Sequence, residues 1–83
     1  MKYDLHFKPR SLKDLKRLPA PQQRRILEKI EAMTQGLSGD VKQLTNFTPE
    51  YRLRVGDYRI LFEVEEDAIL VYRVRHRREV YRK

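Results

Sequence analysis

Between Tyr51 and Val64 the chain alternates apolar and polar residues on both sides of one short break, and this stretch constrains the fold more than any other. Tyr51, Leu53 and Val55 alternate with Arg52 and Arg54. After Gly56-Asp57 the alternation resumes with Tyr58, Ile60, Phe62 and Val64. A period of two marks a strand with one buried face. Two such runs joined by a two-residue link containing glycine form a hairpin. The link sets the register: Val55 faces Tyr58, Arg54 faces Arg59, Leu53 faces Ile60 and Tyr51 faces Phe62. One side of this hairpin is wholly apolar and belongs in a core. The other sets Arg54 against Arg59, with Arg52 two residues away on the same side.

The remaining elements follow from similar patterns. Tyr3, Leu5 and Phe7 alternate with Lys2, Asp4 and His6, which predicts a half-buried strand over Lys2–Phe7. Pro9 suits the first turn of a helix. Leu12, Leu15 and Leu18 are expected to line one side of that helix, with Lys13, Lys16 and Arg17 outside, and Pro19 ends it. Pro21 opens a second helix, in which Ile26, Ile30, Met33 and Leu37 recur at helical spacing, with Gly36 near its end as a candidate C′ residue. Gly39 to Pro49 reads as a loop. Glu66-Asp67 turns the chain into a nearly continuous apolar run, Ile69 to Val74, which suits an internal strand. The expected order is β-α-α-β-β-β. This is an α+β fold: an antiparallel-rich four-stranded sheet with an N-terminal helical hairpin packed on one face.

Eighty-three residues predict a single domain spanning 1–83. A core this small is marginal and gains stability from a partner. Hydrophobic residues make up 40% of the chain and charged residues 37%, but the patterning argues for a folded chain. There is no cysteine, so disulfides and thiolate zinc sites are excluded, which fits a reducing compartment. Met1 to Phe7 lacks the apolar run of a signal peptide. No segment approaches the roughly 20 apolar residues of a membrane span. The expectation is a cytoplasmic protein with no membrane partner.

A net charge of +7 points to nucleic acid or an acidic protein as the partner. The positive charge is concentrated. Arg73 to Lys83 holds Arg73, Arg75, Arg77, Arg78, Arg82 and Lys83 against Glu79 alone, with His76 and Tyr81 among them. If the last strand pairs with the one before it, Arg75 and His76 fall beside Tyr58 and Arg59, and Arg77, Arg78 and Tyr81 follow just beyond. Like charges facing each other across strands cost stability, and phosphates would offset that cost. Arginine's planar fork matches phosphate oxygens and stays charged at any relevant pH. Histidine is the side-chain type that titrates near neutrality, and the Tyr81 ring offers a surface for base stacking.

Plainer readings stand beside this one. The arginine face could be solvated and partly neutralised by Glu63 or Glu65, and the tail a frayed basic terminus that binds polyanions without specificity. His76 could be an ordinary surface histidine, and Tyr81 could pack back on the sheet. Lys8, Arg10, Lys13, Lys16 and Arg17 read as the solvated face of the first helix. No ligand spacing predicts a metal, with His6 and His76 far apart in sequence. There is no glycine-rich phosphate loop and no serine nucleophile motif, and no cofactor is expected.

Tyr51-Arg-Leu-Arg-Val-Gly-Asp-Tyr-Arg-Ile-Leu-Phe62 and Val74-Arg-His-Arg-Arg-Glu-Val-Tyr81 carry a resemblance. The chain resembles the RelE/ParE superfamily of bacterial type II toxins over nearly its full length, and its RelE branch in particular. The resemblance implies a ribosome-dependent endoribonuclease. Such enzymes cut messenger RNA in the decoding site without a metal, the ribose 2′-OH attacking the adjacent phosphate. Arg59 matches the family's third-strand arginine, Arg77 and Tyr81 its C-terminal arginine and tyrosine, and His76 a position where related toxins often place histidine. Arg52 and Arg54 match positions that hold lysine in well-known members. Arginine cannot accept a proton near pH 7, so His76 or ribosomal groups would have to supply the base. Arg75 stands where many relatives have glycine, and a terminal helix would be missing or very short. The catalytic set implied is Arg59, Arg77, Tyr81 and His76, with Arg52, Arg54, Arg75 and Arg78 binding RNA. The resemblance also implies an acidic antitoxin that folds on binding and stabilises the toxin. Two other functions share these features: a ParE-type toxin that binds DNA gyrase, and a non-catalytic basic RNA-binding module.

Overall fold

The computed structural model describes residues 2–46 and 48–80, and the side chains of all of these except Glu79 and Val80. The chain runs β1 (Asp4–Phe7), α1 (Pro9–Lys16), α2 (Ala20–Met33), β2 (Asp40–Gln43), β3 (Tyr51–Val55), β4 (Tyr58–Glu65), β5 (Ala68–His76) and α3 (Arg77–Val80). The α+β class is as expected, but the sheet has five strands, not four, in the order β1-β5-β4-β3-β2. β1 runs parallel to β5, and all other neighbours are antiparallel. The β3–β4 register is the expected one at every pair, including Arg54 opposite Arg59. Gly56, with φ +60, supplies the left-handed residue that the two-residue turn needs at its first central position.

The fifth strand lies inside the expected loop. β2 reads Asp-Val-Lys-Gln, with one apolar residue to turn inward, so its period-two signal is too short to recognise. It forms because the free edge of β3 offers hydrogen-bonding partners. Asp40 and Lys42, facing outward on this edge strand, discourage further pairing.

One core binds the layers together. Leu15 from α1 and Ile26, Ile30 and Met33 from α2 meet Leu53, Val55, Ile60, Phe62, Ile69, Val71 and Val74 from the sheet. Tyr51 stacks on Phe62 across the β3–β4 pair, with ring centroids 5.4 Å apart. The helical hairpin departs from expectation in three places. Leu12 is 45% exposed and Leu18 only half-buried. Steps of three residues swing around a helix, and it is the four-residue pair Ser11 and Leu15 that faces inward. Pro21 lies in the first turn of α2 rather than at its start, since the helix begins at Ala20. α2 also stops at Met33, where the Thr34 hydroxyl donates to the Glu31 carbonyl at 2.6 Å. Gly36 (φ +141) and Leu37 (φ +58) therefore lie beyond the helix and reverse the chain, with Leu37 still packing on the core. At the N-terminus β1 begins at Asp4, two residues later than expected, and Tyr3 N–H donates to the Thr34 carbonyl.

Candidate nucleic-acid interface

The sheet side away from the helices is built in cross-strand rows. One row reads Asp40, Arg54, Arg59, Arg75 across β2, β3, β4 and β5. The next reads Lys42, Arg52, Leu61, Arg73. Three arginines thus stand on three neighbouring strands. Residues directly opposite in such a ladder have Cβ atoms about 5 Å apart. Leu61 faces outward between Arg52 and Arg73 in this row but is only 7% exposed.

The neutralising carboxylate is not Glu63 or Glu65. Glu63 accepts the Glu50 N–H at 2.8 Å, and Glu65 pairs with Ala68 at the far end of β4. Asp40 pairs with Arg52 and Arg54. Its Oδ1 lies 3.4 Å from Arg52 Nη1 and its Oδ2 3.7 Å from Arg54 Nη1. The Arg52 side chain is 12% exposed, and its Nε is buried with no hydrogen-bond partner. Arg54, in contrast, is open to solvent.

The β3–β4 turn organises the next arginines. Arg59 Nη1 donates to the Gly56 carbonyl at 3.0 Å and the Tyr58 carbonyl at 3.2 Å. Arg77 N–H donates to the Asp57 carbonyl at 2.7 Å, which starts α3 against the same turn and leaves the Arg77 side chain exposed. Arg78 is also exposed, and its N–H donates to His76 Nδ1 at 3.2 Å. That hydrogen bond occupies the Nδ1 lone pair. His76 pairs with Tyr58, edge to face at 5.6 Å, on the helix-bearing side of the pleat. It shares a strand end with Arg75 but not a face. A cleft of about 270 Å³ at this strand end is lined in part by Asp14, Arg17, Tyr58, Arg73, Arg75 and His76. The expected site residue Tyr81 lies outside the described residues.

The sequence reading missed Asp14, Arg73 and Asp40. Asp14 Oδ2 accepts Arg73 Nε at 2.8 Å and Val74 N–H at 2.9 Å, and Oδ1 accepts Arg73 Nη2 at 3.3 Å. Burial alone would raise the Asp14 pKa. The Arg73 hydrogen bonds, the Val74 N–H and the charges of Arg73 and Arg75 outweigh burial and hold it below the usual 3.8. No local pattern links residues 59 positions apart, so this pair has no sequence signal. Among the described residues, no three His, Asp or Glu side chains converge as metal ligands. No described helix is long and apolar enough to cross a membrane.

Comparison with known proteins places this arrangement. Residues 5–81 match the family described as the ParE toxin of the type II toxin–antitoxin system, parDE. Toxin RelE3 of Methanocaldococcus jannaschii is 39% identical over 75 residues, covering 84% of this chain and 85% of the relative. The chain belongs to the RelE/ParE toxin superfamily, on its RelE branch. Among solved structures, the RelB-RelE antitoxin-toxin complex from Methanococcus jannaschii matches with a TM-score of 0.76 and 36% identity, over 92% of this chain and 94% of the other. The archaeal RelE-RelB complex from Pyrococcus horikoshii matches with a TM-score of 0.78 and 26% identity, over 96% and 100%. The family match runs from within β1 through α3, so the arginine row sits on a RelE-type fold.

Proposed function

We propose that this RelE-branch toxin is an endoribonuclease that cuts messenger RNA on the ribosome and is held inactive by an acidic antitoxin. The observation that carries this reading is the row Arg54, Arg59 and Arg75, three fixed cations opposite one another on β3, β4 and β5. Cations on three neighbouring strands concentrate positive charge on one row, where an RNA phosphate would bind. The 83 residues act as one domain in the cytoplasm.

In the reaction the 2′-oxygen bonds to phosphorus as the bond from phosphorus to the 5′-oxygen breaks. The products are a 2′,3′-cyclic phosphate and a 5′-hydroxyl. The 2′-OH proton leaves to a base, and the 5′-oxygen gains a proton. Negative charge grows on the phosphoryl oxygens, where preformed cations stabilise it. Arg59 and Arg77, anchored to the same turn, take this role. Arg52, Arg54, Arg75 and Arg78 bind the strand, and Tyr81 stacks on a base. His76 handles the proton once the Arg78 N–H leaves Nδ1, or ribosomal groups do so.

Expression from an inducible promoter in a bacterium, alone and with its neighbouring gene, tests the proposal through the 5′ ends of messenger RNA. New ends inside translated codons are expected, suppressed by the neighbour. Arg59→Ala and Arg77→Ala should each reduce cutting ~100-fold or more, the usual loss for one transition-state donor. Growth arrest with DNA damage signalling and no new ends would move the chain to the gyrase-binding class. Neither effect would leave a basic binding module.

A further inference from the structure

Strict alternation along β5 would ruin the arginine row. Ile69 and Val71 both point into the core, and a period of two would send Arg73 and Arg75 after them. An extra residue prevents this. Phe62 pairs with Val71 and Leu61 with Arg73, so Tyr72 is a bulge on β5 with no partner of its own on β4. Beyond it the phase is inverted. Val74 fills the core, and Arg75 stands opposite Arg59.

A bulge leaves backbone groups outside the ladder and bends the strand. β1 stops short of it: its pairing with β5 ends at Val71, where the Lys8 N–H donates to the Val71 carbonyl and Lys8 Nζ lies 5.3 Å from the Tyr72 ring centroid. α1 lies along β5 from there, and Asp14 supplies the grip. One carboxylate holds both the Arg73 guanidinium and the Val74 amide, the two positions at which the inverted phase begins. The Asp14 side chain is 10% exposed, so water competes weakly for it. The charged groups around it are Arg10 and Lys13 on α1, Arg17 at its C-terminal end and Arg73 and Arg75 on β5, with Tyr58 and His76 further along the cleft.

We propose that Asp14 is a positioning residue: it locks the β5 bulge in phase and so places Arg75 beside Arg59 in the RNA-phosphate row. The role in RNA binding rests on the reading of that row given above. The hold on the bulge does not. Asp14 touches no RNA and acts through its hold on Arg73 and Val74, which places Arg75.

Two measurements on the full chain test this. The first follows backbone contacts by NMR in wild type and Asp14→Asn. The variant should lose the cross-strand contact between Arg59 and Arg75 while keeping that between Val55 and Tyr58, since the turn is independent of Asp14. The second measures binding of a twelve-residue single-stranded oligouridine against salt for wild type, Asp14→Asn, Arg75→Ala and the double variant. Asp14→Asn and Arg75→Ala should each flatten the salt slope by ~0.7, one phosphate contact on a single strand. The double variant should be no weaker than either, whereas adding Arg54→Ala to Asp14→Asn should cost its full effect. A retained Arg59–Arg75 contact in Asp14→Asn, or additive losses in the double variant, overturns the proposal. If Asp14→Asn does not fold, acid titration of wild type replaces it. The Arg59–Arg75 contact should then fade with the Asp14 carboxyl resonance while the Val55–Tyr58 contact persists, and loss of both together overturns the proposal. If neither Arg54→Ala nor Arg75→Ala affects RNA binding, the phosphate reading of the row fails, and the NMR arm still decides what Asp14 does.

Discussion

Asp40 and Asp14 are both carboxylates set among arginines, and their burial makes them different objects. Asp40 is 55% exposed and bridges Arg52 and Arg54 at 3.4 and 3.7 Å. The Arg54 pair is exposed on both sides and contributes at most ~1 kcal/mol, whereas the Arg52 side chain is mostly buried. The effect of both pairs is felt in the local field, where Asp40 cancels one of the cations that an RNA strand would use. Asp40→Asn should tighten oligouridine binding and steepen its salt slope by ~0.7. An unchanged slope would show that phosphates bypass Arg52 and Arg54. Asp14 is mostly buried, with three hydrogen bonds, and its removal strands the Arg73 charge. Breaking such a pair costs ~3 kcal/mol, so Asp14→Ala should lower stability by about that much in urea titration. The pH dependence has a definite sign. The folded-state pKa of Asp14 is lowered from 3.8. Its contribution is therefore complete above the unfolded carboxylate value and is lost as pH falls through the folded one. Acid unfolding of Asp14→Asn should lack that component, and identical acid profiles for variant and wild type would refute it.

At the level of elements, the β3–β4 hairpin was legible because everything that specifies it is local. Alternation chose the face and Gly56-Asp57 chose the register, over residues 51–64. The turn carries function as well, since Arg59 donates to the Gly56 carbonyl and Arg77 to the Asp57 carbonyl. A Cβ at position 56 would meet Arg25 Nη1 at 3.5 Å, so space is not the obstacle. The left-handed φ of +60 is, at ~1 kcal/mol for an L-residue. Gly56→Ala should lower the midpoint by roughly 4–8 °C, the shift expected for that loss in a domain of this size. The elements that escaped the sequence are those held by distant partners. β2 exists because β3 offers an edge, and the β5 bulge is held from α1. Leu12 looked like a core residue because three-residue spacing imitates a helix face over one turn and drifts off it over two.

The whole molecule is a sheet with charge sorted along its open face. The row of Arg54, Arg59 and Arg75 sits at one end, and the row of Asp4 and Glu65, on either side of Ala68, at the other. A phosphate strand is drawn to the first end and repelled from the second. The core beneath is small. Phe62 is fully buried at its centre, and Phe62→Ala removes ~4 kcal/mol. Against a total of 5–15 kcal/mol for a typical domain, the variant should be partly unfolded at 37 °C by circular dichroism. Anything that binds only the folded state stabilises it, by ~2.7 kcal/mol at a hundredfold excess over Kd, and so raises the midpoint. The proposed antitoxin should do so, and equal midpoints for free and saturated toxin would count against it.

The sequence alone determined the α+β class, the helical hairpin, the facing pair Arg54 and Arg59, and the RelE/ParE membership that the comparisons bear out. These rest on periodicity, turns and motifs, which act over a few residues at a time. Only the tertiary structure decided that Asp40 and not Glu63 pairs with Arg52 and Arg54, and that Arg75 rather than His76 joins the open face. It also decided that Asp14 holds the bulge that inverts β5. Each of those depends on which segments meet after the chain closes on itself. A single inserted residue in a strand reverses every side chain beyond it, and the sequence of β5 does not say where its neighbours will require that residue to be.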